Sequence, residues 1–366
     1  MTKVTAVVSA AAIAAATVTV PSGARAQDQP NETPTGTQPV GQPPPEREAE
    51  RPDVQAIADV GGVLTPEGRL ILEPTFQFSN SQVNRFTFLG TEILSTFLVG
   101  LIEAEEIDRD VVSAQLNARY GLSDRLEVGV KIPWISRRED REIRIPQADG
   151  GQSPVSSDSL SGEGLGDIEL SAHAQLNAGP GPYYIANLRY KSDSGTGPFD
   201  VDFDDNGLEE ELATGSGFQA IEPSMTVLMP SDPAVFYGNL GYVYNFDEDV
   251  DKTIGTGDNA RRISKVEPGN SVRLSFGMAV SLNPQASFSI GYKHEFIEGT
   301  ESEIASLDAT TALDSETSDL QVGSLLFGLS HKVGRQNNFN LNLEVGATAD
   351  APDVVLSVSL PVTFGP

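Results

Sequence analysis

VSAQLNARYGLSDRLEVGVKIPW, residues 112–134, holds two runs of strict alternation joined by a tight turn. Val112, Ala114, Leu116, Ala118 and Tyr120 fall on one face, with Ser113, Gln115, Asn117 and Arg119 on the other. After residues 121–124 the pattern resumes, with Leu126, Val128, Val130, Ile132 and Trp134 opposite Glu127, Gly129 and Lys131. A period of two over such a length is that of a β-strand whose two faces meet different surroundings. Upstream, Leu70, Leu72, Pro74, Phe76 and Phe78 oppose Ile71, Glu73, Thr75 and Gln77 in the same way. Downstream the unit returns at 168–176 and 184–190. It recurs near 218–228, 235–246, 271–282, 286–297, 321–332, 338–347 and 353–364, so 12 strands are expected.

The connections decide what these strands build. Short ones fall at 121–124, 178–182, 230–233, 283–285 and 334–337. Long ones run over 79–110, 136–166, 193–216, 247–268 and 298–319, with a shorter sixth at 348–352. An even number of strands with tight turns at one end and long polar loops at the other is the pattern of an outer-membrane barrel. The expected fold is therefore all-β, a 12-stranded antiparallel transmembrane β-barrel over residues 69–366. A soluble sandwich would also keep one apolar face per strand. Two features favour the barrel over it. Aromatic residues stand near strand ends (Tyr120, Trp134, Tyr183, Tyr184, Tyr190, Tyr244, Phe246, Phe296), as interfacial girdles do, and the last strand alternates to Phe364. FTFLGTEILSTFLVGL, residues 86–101, would make the strand count odd if it crossed the membrane, and is assigned to a loop packed on or in the barrel mouth.

Upstream lies an address. Lys3, an apolar run over 4–20 and Ala24-Arg25-Ala26 read as a secretory signal peptide, residues 1–26, cleaved after Ala26. Residues 27–53 hold seven prolines (Pro30, Pro34, Pro39, Pro43, Pro44, Pro45, Pro52) and are expected as a disordered periplasmic linker. Residues 54–68 are expected to form a short helical plug, its helix capped by Asp53 and ended by Gly61-Gly62. The chain carries 24 Lys+Arg against 52 Asp+Glu, a net charge of −28 that repels phosphate, so a nucleic-acid partner is not expected. With no Cys among 366 residues, disulfides, thiol nucleophiles and zinc knuckles are out of reach. A mean hydropathy of −0.19 suits alternating strands and argues against membrane helices.

The segments at 98–128 (LVGLIEAEEIDRDVVSAQLNARYGLSDRLEV), 164–170 (GLGDIEL), 232–247 (DPAVFYGNLGYVYNFD) and 350–364 (DAPDVVLSVSLPVTF) resemble the outer-membrane barrel of functional-amyloid (Fap) secretion systems. They are similar, more loosely, to the wider group of outer-membrane transporters called the MetA-pathway of phenol degradation. The resemblance covers most of residues 63–364. It implies a 12-stranded barrel, a homotrimer, a pore closed by an N-terminal helical plug, and export of unfolded subunits. That exporter carries an N-terminal coiled coil, whereas residues 27–53 here have no heptads.

Strand phase gives the expected lumen independently. Glu73, Glu127, Glu169, Glu222, Glu295 and Glu344 share the polar face with Arg119, Lys131, Arg189, Lys191, Arg273 and Lys293. Six negatives against six positives suit a lumen whose charges pair or contact a plug, since a selective pore skews this balance. Twelve strands also lie between the filled small barrel and the open porin, so a narrow or gated pore is expected.

The acidic excess falls in loops, at 200–211 (DVDFDDNGLEEE) and 247–251 (DEDVD). Asp202, Asp204, Asn206 and Gly207 open like a calcium loop, but the twelfth position is Ala213 where a bidentate Glu is required, so no metal is assigned. GEGLG at 162–166 precedes a strand, not the helix a phosphate site requires, and no hydrolase or zinc motif occurs; neither enzyme activity nor a cofactor is expected. His173, His294 and His331 lie on different strands, with His173 facing the lumen.

Three functions fit: a gated or narrow channel exporting unfolded subunits, a passive uptake channel for small hydrophobic or aromatic molecules, and a non-conducting structural or adhesive barrel. The partners expected are outer-membrane lipid, lipopolysaccharide and a transported polypeptide or small molecule. Pro74, Pro223 and Pro361 fall inside expected strands, where each removes a ladder donor.

Overall fold

In a computed structural model of the chain, the described residues run from 64 to 365 except 83–85, 89–90, 94–102, 145–155, 180, 206, 208, 258–259, 307–312 and 334–336. All lie within one compact unit, Arg51–Pro366. The strands are β1 (Leu70–Ser81), β2 (Phe86–Phe88), β3 (Thr91–Ile93), β4 (Glu103–Ser123), β5 (Leu126–Arg144), β6 (Ser156–Leu165), β7 (Glu169–Gln175), β8 (Tyr183–Lys191), β9 (Ala220–Ser231) and β10 (Ala234–Asn245). They continue with β11 (Lys252–Ile254), β12 (Arg261–Glu267), β13 (Ser271–Asn283), β14 (Ala286–Ile297), β15 (Glu301–Ser306), β16 (Leu313–Glu316), β17 (Leu320–Val333), β18 (Asn337–Gly346), β19 (Val354–Ser359) and β20 (Val362–Phe364).

Twelve staves close on themselves in the order β1, β4, β5, β7, β8, β9, β10, β13, β14, β17, β18, β19 and back to β1, with every pairing antiparallel. The barrel is closed, as the alternation requires if no apolar edge is to face lipid. β6 continues the β7 stave and β20 continues the β19 stave. The large apolar side chains point out: Trp134, Leu170, Leu188, Leu240, Phe276 and Phe364 are among the most exposed in the molecule. In water such a surface would aggregate; against hydrocarbon it is the surface a barrel needs.

The prolines sit where pairing is interrupted. Pro361 lies between β19 and β20, and Pro74 on the neighbouring β1 faces the same gap, its carbonyl accepting from Leu360 N (3.1 Å). Opposite Pro223, the β9–β10 ladder steps from Ser224↔Gly241 to Ile221↔Tyr244. Pro133 lies opposite the break between β6 and β7: Trp134 pairs with Leu165 and Lys131 with Glu169, so two residues face three. That is a β-bulge, placed where proline has no N–H to give.

One expectation needs correction. The long connections at 79–110, 136–166, 247–268 and 298–319 are not loops throughout: β4 begins at Glu103, β5 runs to Arg144, and β11, β12, β15 and β16 form a second, four-stranded sheet. Above the membrane both faces of a strand meet water, so the period-two signal vanishes although the ladder continues. An apolar cluster of Phe199, Phe218, Ile254, Ile263 and Val266, with Phe203 and Ile304, packs against this sheet. Within 86–101, β2 and β3 pair as a hairpin apart from the barrel sheet, while 94–101 lie outside the described residues. Residues 64–68 lead into β1 without helix, and the expected helix at 53–60, with the leader and linker, lies outside the described residues.

Candidate functional site

Alternation that turns apolar residues outward turns a ring of charge inward. Lys131 on β5 lies 2.5 Å from Glu169 on β7, which also receives Arg189 of β8 at 3.2 Å. Arg189 pairs in turn with Glu222 of β9. Arg273 of β13 reaches Glu222 at 2.7 Å, and its Nε lies 2.7 Å from Glu295 of β14 without the alignment of a hydrogen bond. Ser271 donates to Glu295 (2.6 Å). On the other side of the ring Arg119 pairs with Glu73 (3.1 Å), which also accepts from Ser359 (2.7 Å), and Lys293 pairs with Glu344 (2.8 Å). Arg189 and Arg273 each sit between two carboxylates, so the run from β5 to β14 is a continuous chain of opposite charges.

One gap in the ring is built in. Arg273 reaches Glu222 across β10, where Gly241 stands in register with both Arg273 and Ser224. A Cβ at Gly241 would lie 3.0 Å from Glu222 Oε1 and 3.0 Å from the Ser224 Cβ. The missing side chain is what lets a pair form between staves that are not neighbours.

Two of the 12 expected residues have other partners. Lys191 pairs with Asp167 (3.3 Å) and donates to Phe218 O (2.6 Å). Glu127, only 3 % exposed, accepts from Thr65 N (2.7 Å) and from the Thr65 hydroxyl. The chain entering β1 thus lies inside the wall at the short-turn end, crossing Gly121, whose absent Cβ would strike the Thr65 and Pro66 carbonyls. Leu64 joins a buried cluster with Ile185, Leu228, Tyr237 and Ala279. Those residues belong to β8, β9, β10 and β13, the wall across the barrel from β1. Tyr237 can lie flat there because Gly277 leaves its hydroxyl room (2.6 Å to a built Cβ).

Toward the opposite end further polar pairs stand on the inner face. Arg109 and Glu139 form a buried pair (2.9 Å), and Arg137 Nη1 donates to Ala213 O (2.5 Å). Neither pair is visible in strand phase, because both lie beyond the alternating segments. His173 shares a hydrogen bond with Asn187 on the inner face (2.9 Å), while His294 meets Tyr292 (2.8 Å). Among the described residues no three His, Asp or Glu side chains converge as a metal site would need.

No protein-family model matches the chain. Among solved structures it is similar to the β domain of the Bordetella autotransporter BrkA (11% identity, TM-score 0.40, covering 81% of this chain and 100% of that one). It is also similar to the Pseudomonas putida toluene transporter TodX (10%, 0.39, 82% and 89%) and to the translocator domain of the autotransporter NalP from Neisseria meningitidis (8%, 0.37, 82% and 90%). At these identities and scores the likenesses assign no activity, and the fold stands on its own closed strand pairing: a 12-stranded barrel of the outer-membrane type.

Proposed function

We propose that the protein is a gated transport channel of the bacterial outer membrane, held closed from the periplasmic side by the segment that precedes β1. The observation that carries this is the seating of Leu64 and Thr65 inside the wall, on Glu127 and on the apolar cluster of the far staves. The outer apolar surface meets lipid, the extracellular sheet and acidic loops meet lipopolysaccharide and solvent, and the pore runs past the charge ring. Ring residues Glu73, Glu169, Glu222, Glu295, Glu344, Arg119, Lys131, Arg189, Arg273 and Lys293 line the path, with neither sign in excess.

The inner wall at mid-height supports a polar cargo over an apolar one. It presents paired charges and a belt of amides and hydroxyls in which Asn187 and Asn239 both donate to Thr226 (3.0 and 2.8 Å). A hydrocarbon would find no apolar track along these residues, whereas an extended polypeptide exchanges hydrogen bonds with them. Export of an unfolded polypeptide is therefore the reading we adopt, with uptake of small aromatic molecules as its rival. Current through the chain lacking residues 27–66 distinguishes them. An unfolded polar polypeptide added to the periplasmic side is expected to produce discrete blockades, and monoaromatic solutes none. Blockade by the aromatics alone would reverse the assignment.

A further inference from the structure

The connection between β8 and β9 returns into the barrel. Residues 212–214 lie on the inner face of β6, directly over two inward-facing glycines: Gly162 stands under the Leu212 carbonyl, and a Cβ on Gly164 would touch the Thr214 side chain at 3.5 Å. Leu212 N donates to Ser161 O (3.1 Å), Thr214 Oγ1 to Leu165 O (2.9 Å), and Arg137 holds Ala213 O from the wall beside it. Gly162 thus leaves room for the Leu212 backbone, and Gly164 lies against the Thr214 side chain.

Both ends of the return are tied to one carboxylate. Asp167 sits in the bulge opposite Pro133 and faces inward in phase with Glu169 of β7, the extra residue resetting the phase carried by Gly162 and Gly164 of β6. Its Oδ1 accepts from Gly195 N (3.1 Å), and its Oδ2 from Ser216 N (2.9 Å) and Ser216 Oγ (2.7 Å). Lys191 supplies its counter-charge and also bonds Ser216. Gly195 and Gly215 lie against each other here, a built Cβ on Gly195 falling 2.7 Å from the Gly215 Cα. Leu212, Ala213, Thr214 and Ser216 are all buried. This inward return is separate from the N-terminal segment seated on Glu127 and in the Leu64 cluster.

We infer that residues 211–218, clasped by Asp167 and seated on Gly162 and Gly164, form the eyelet that sets the size limit of the pore at its extracellular end. The inference rests on the channel reading, and Asp167 acts in it as a positioning residue. The test is single-channel recording in planar bilayers of each variant both in the full-length protein and in the chain lacking residues 27–66, with the open-state size limit read from the smallest polyethylene glycol that no longer lowers the current. Asp167→Ala is expected to at least double the unitary conductance and raise the polymer limit. Because the chain contains no cysteine, Gly164→Cys with Thr214→Cys is the pair to pin the return to β6, since a Cβ built on residue 164 lies 3.5 Å from Thr214 Oγ1, the atom a cysteine sulfur would replace. Added to Asp167→Ala under oxidising conditions, this pair is expected to restore the parental conductance and limit, and reduction to abolish the rescue. If Asp167→Ala fails to assemble, Gly162→Leu lifts the return without touching the clasp and is expected to raise the limit alike. Open channels with the parental limit in both variants would overturn the eyelet while leaving the channel intact. Absence of current from every chain would overturn the channel reading, and the eyelet with it.

Discussion

The two faces of the same staves obey different rules. Outward positions such as Leu188, Leu240 and Phe276 present exposed apolar side chains around the barrel and need only be apolar, so any of several side chains serves. Inward positions such as Glu222 and Arg273 need particular partners at particular heights on other staves. The outer face is thus specified by residue type and the inner by pairing. Each should fail in its own way.

The largest effect is expected on the outer face. Leu240→Arg sets a charge against hydrocarbon near mid-stave and should cost roughly 2–4 kcal/mol, read from denaturant unfolding in vesicles with Trp134, the only tryptophan, as reporter. On the inner face Glu222→Gln removes the carboxylate shared by Arg189 and Arg273. The cost should be on the order of 2 kcal/mol, below that of a fully buried pair because the ring faces the lumen. Adding Arg273→Met should recover part of it, the non-additivity that marks a true pair. Gly241→Val should cost about 1–2 kcal/mol through overpacking and, unlike an outward substitution, should also perturb open-channel ion selectivity by prising Arg273 from Glu222. Equal effects of Gly241→Val and Gly238→Val on selectivity would break the comparison, since Gly238 has only open contacts around it. The smallest effect should come from the extracellular sheet. There Glu267 (2.6 Å) and Asp247 (2.9 Å) hold the exposed Lys265 ammonium above its usual range. Lys265→Met should leave unfolding unchanged, because an exposed pair exchanges one solvated arrangement for another.

What could be read from the chain follows the same division. Outward residues announced the staves, and of the 12 residues expected on the polar face ten meet one another in ion pairs, while Lys191 pairs with Asp167 and Glu127 accepts from Thr65. Strand ends were not legible above the membrane: in EAEEIDRD at 103–110 both faces are charged although the ladder of β4 runs through it. Contacts made by returning chain were not legible either, since Thr65 meets Glu127 and Arg137 meets Ala213 across 62 and 76 residues. Asp167 was hidden because it stands just before the alternating segment at 168–176, and its partners Gly195 and Ser216 return to it from a connection with no strand period. GEGLG was conspicuous, but its glycines serve close backbone approach, not an anion. The prolines that contradicted a continuous strand turned out to mark the gaps between paired segments.

The central claim is that the chain entering β1 closes the pore, and single-channel conductance of the full mature chain against one lacking residues 27–66 tests it most directly. The account predicts a closed or briefly flickering channel for the full chain and long, steady openings once Leu64 and Thr65 are gone. Equal conductance and open times from the two would contradict it.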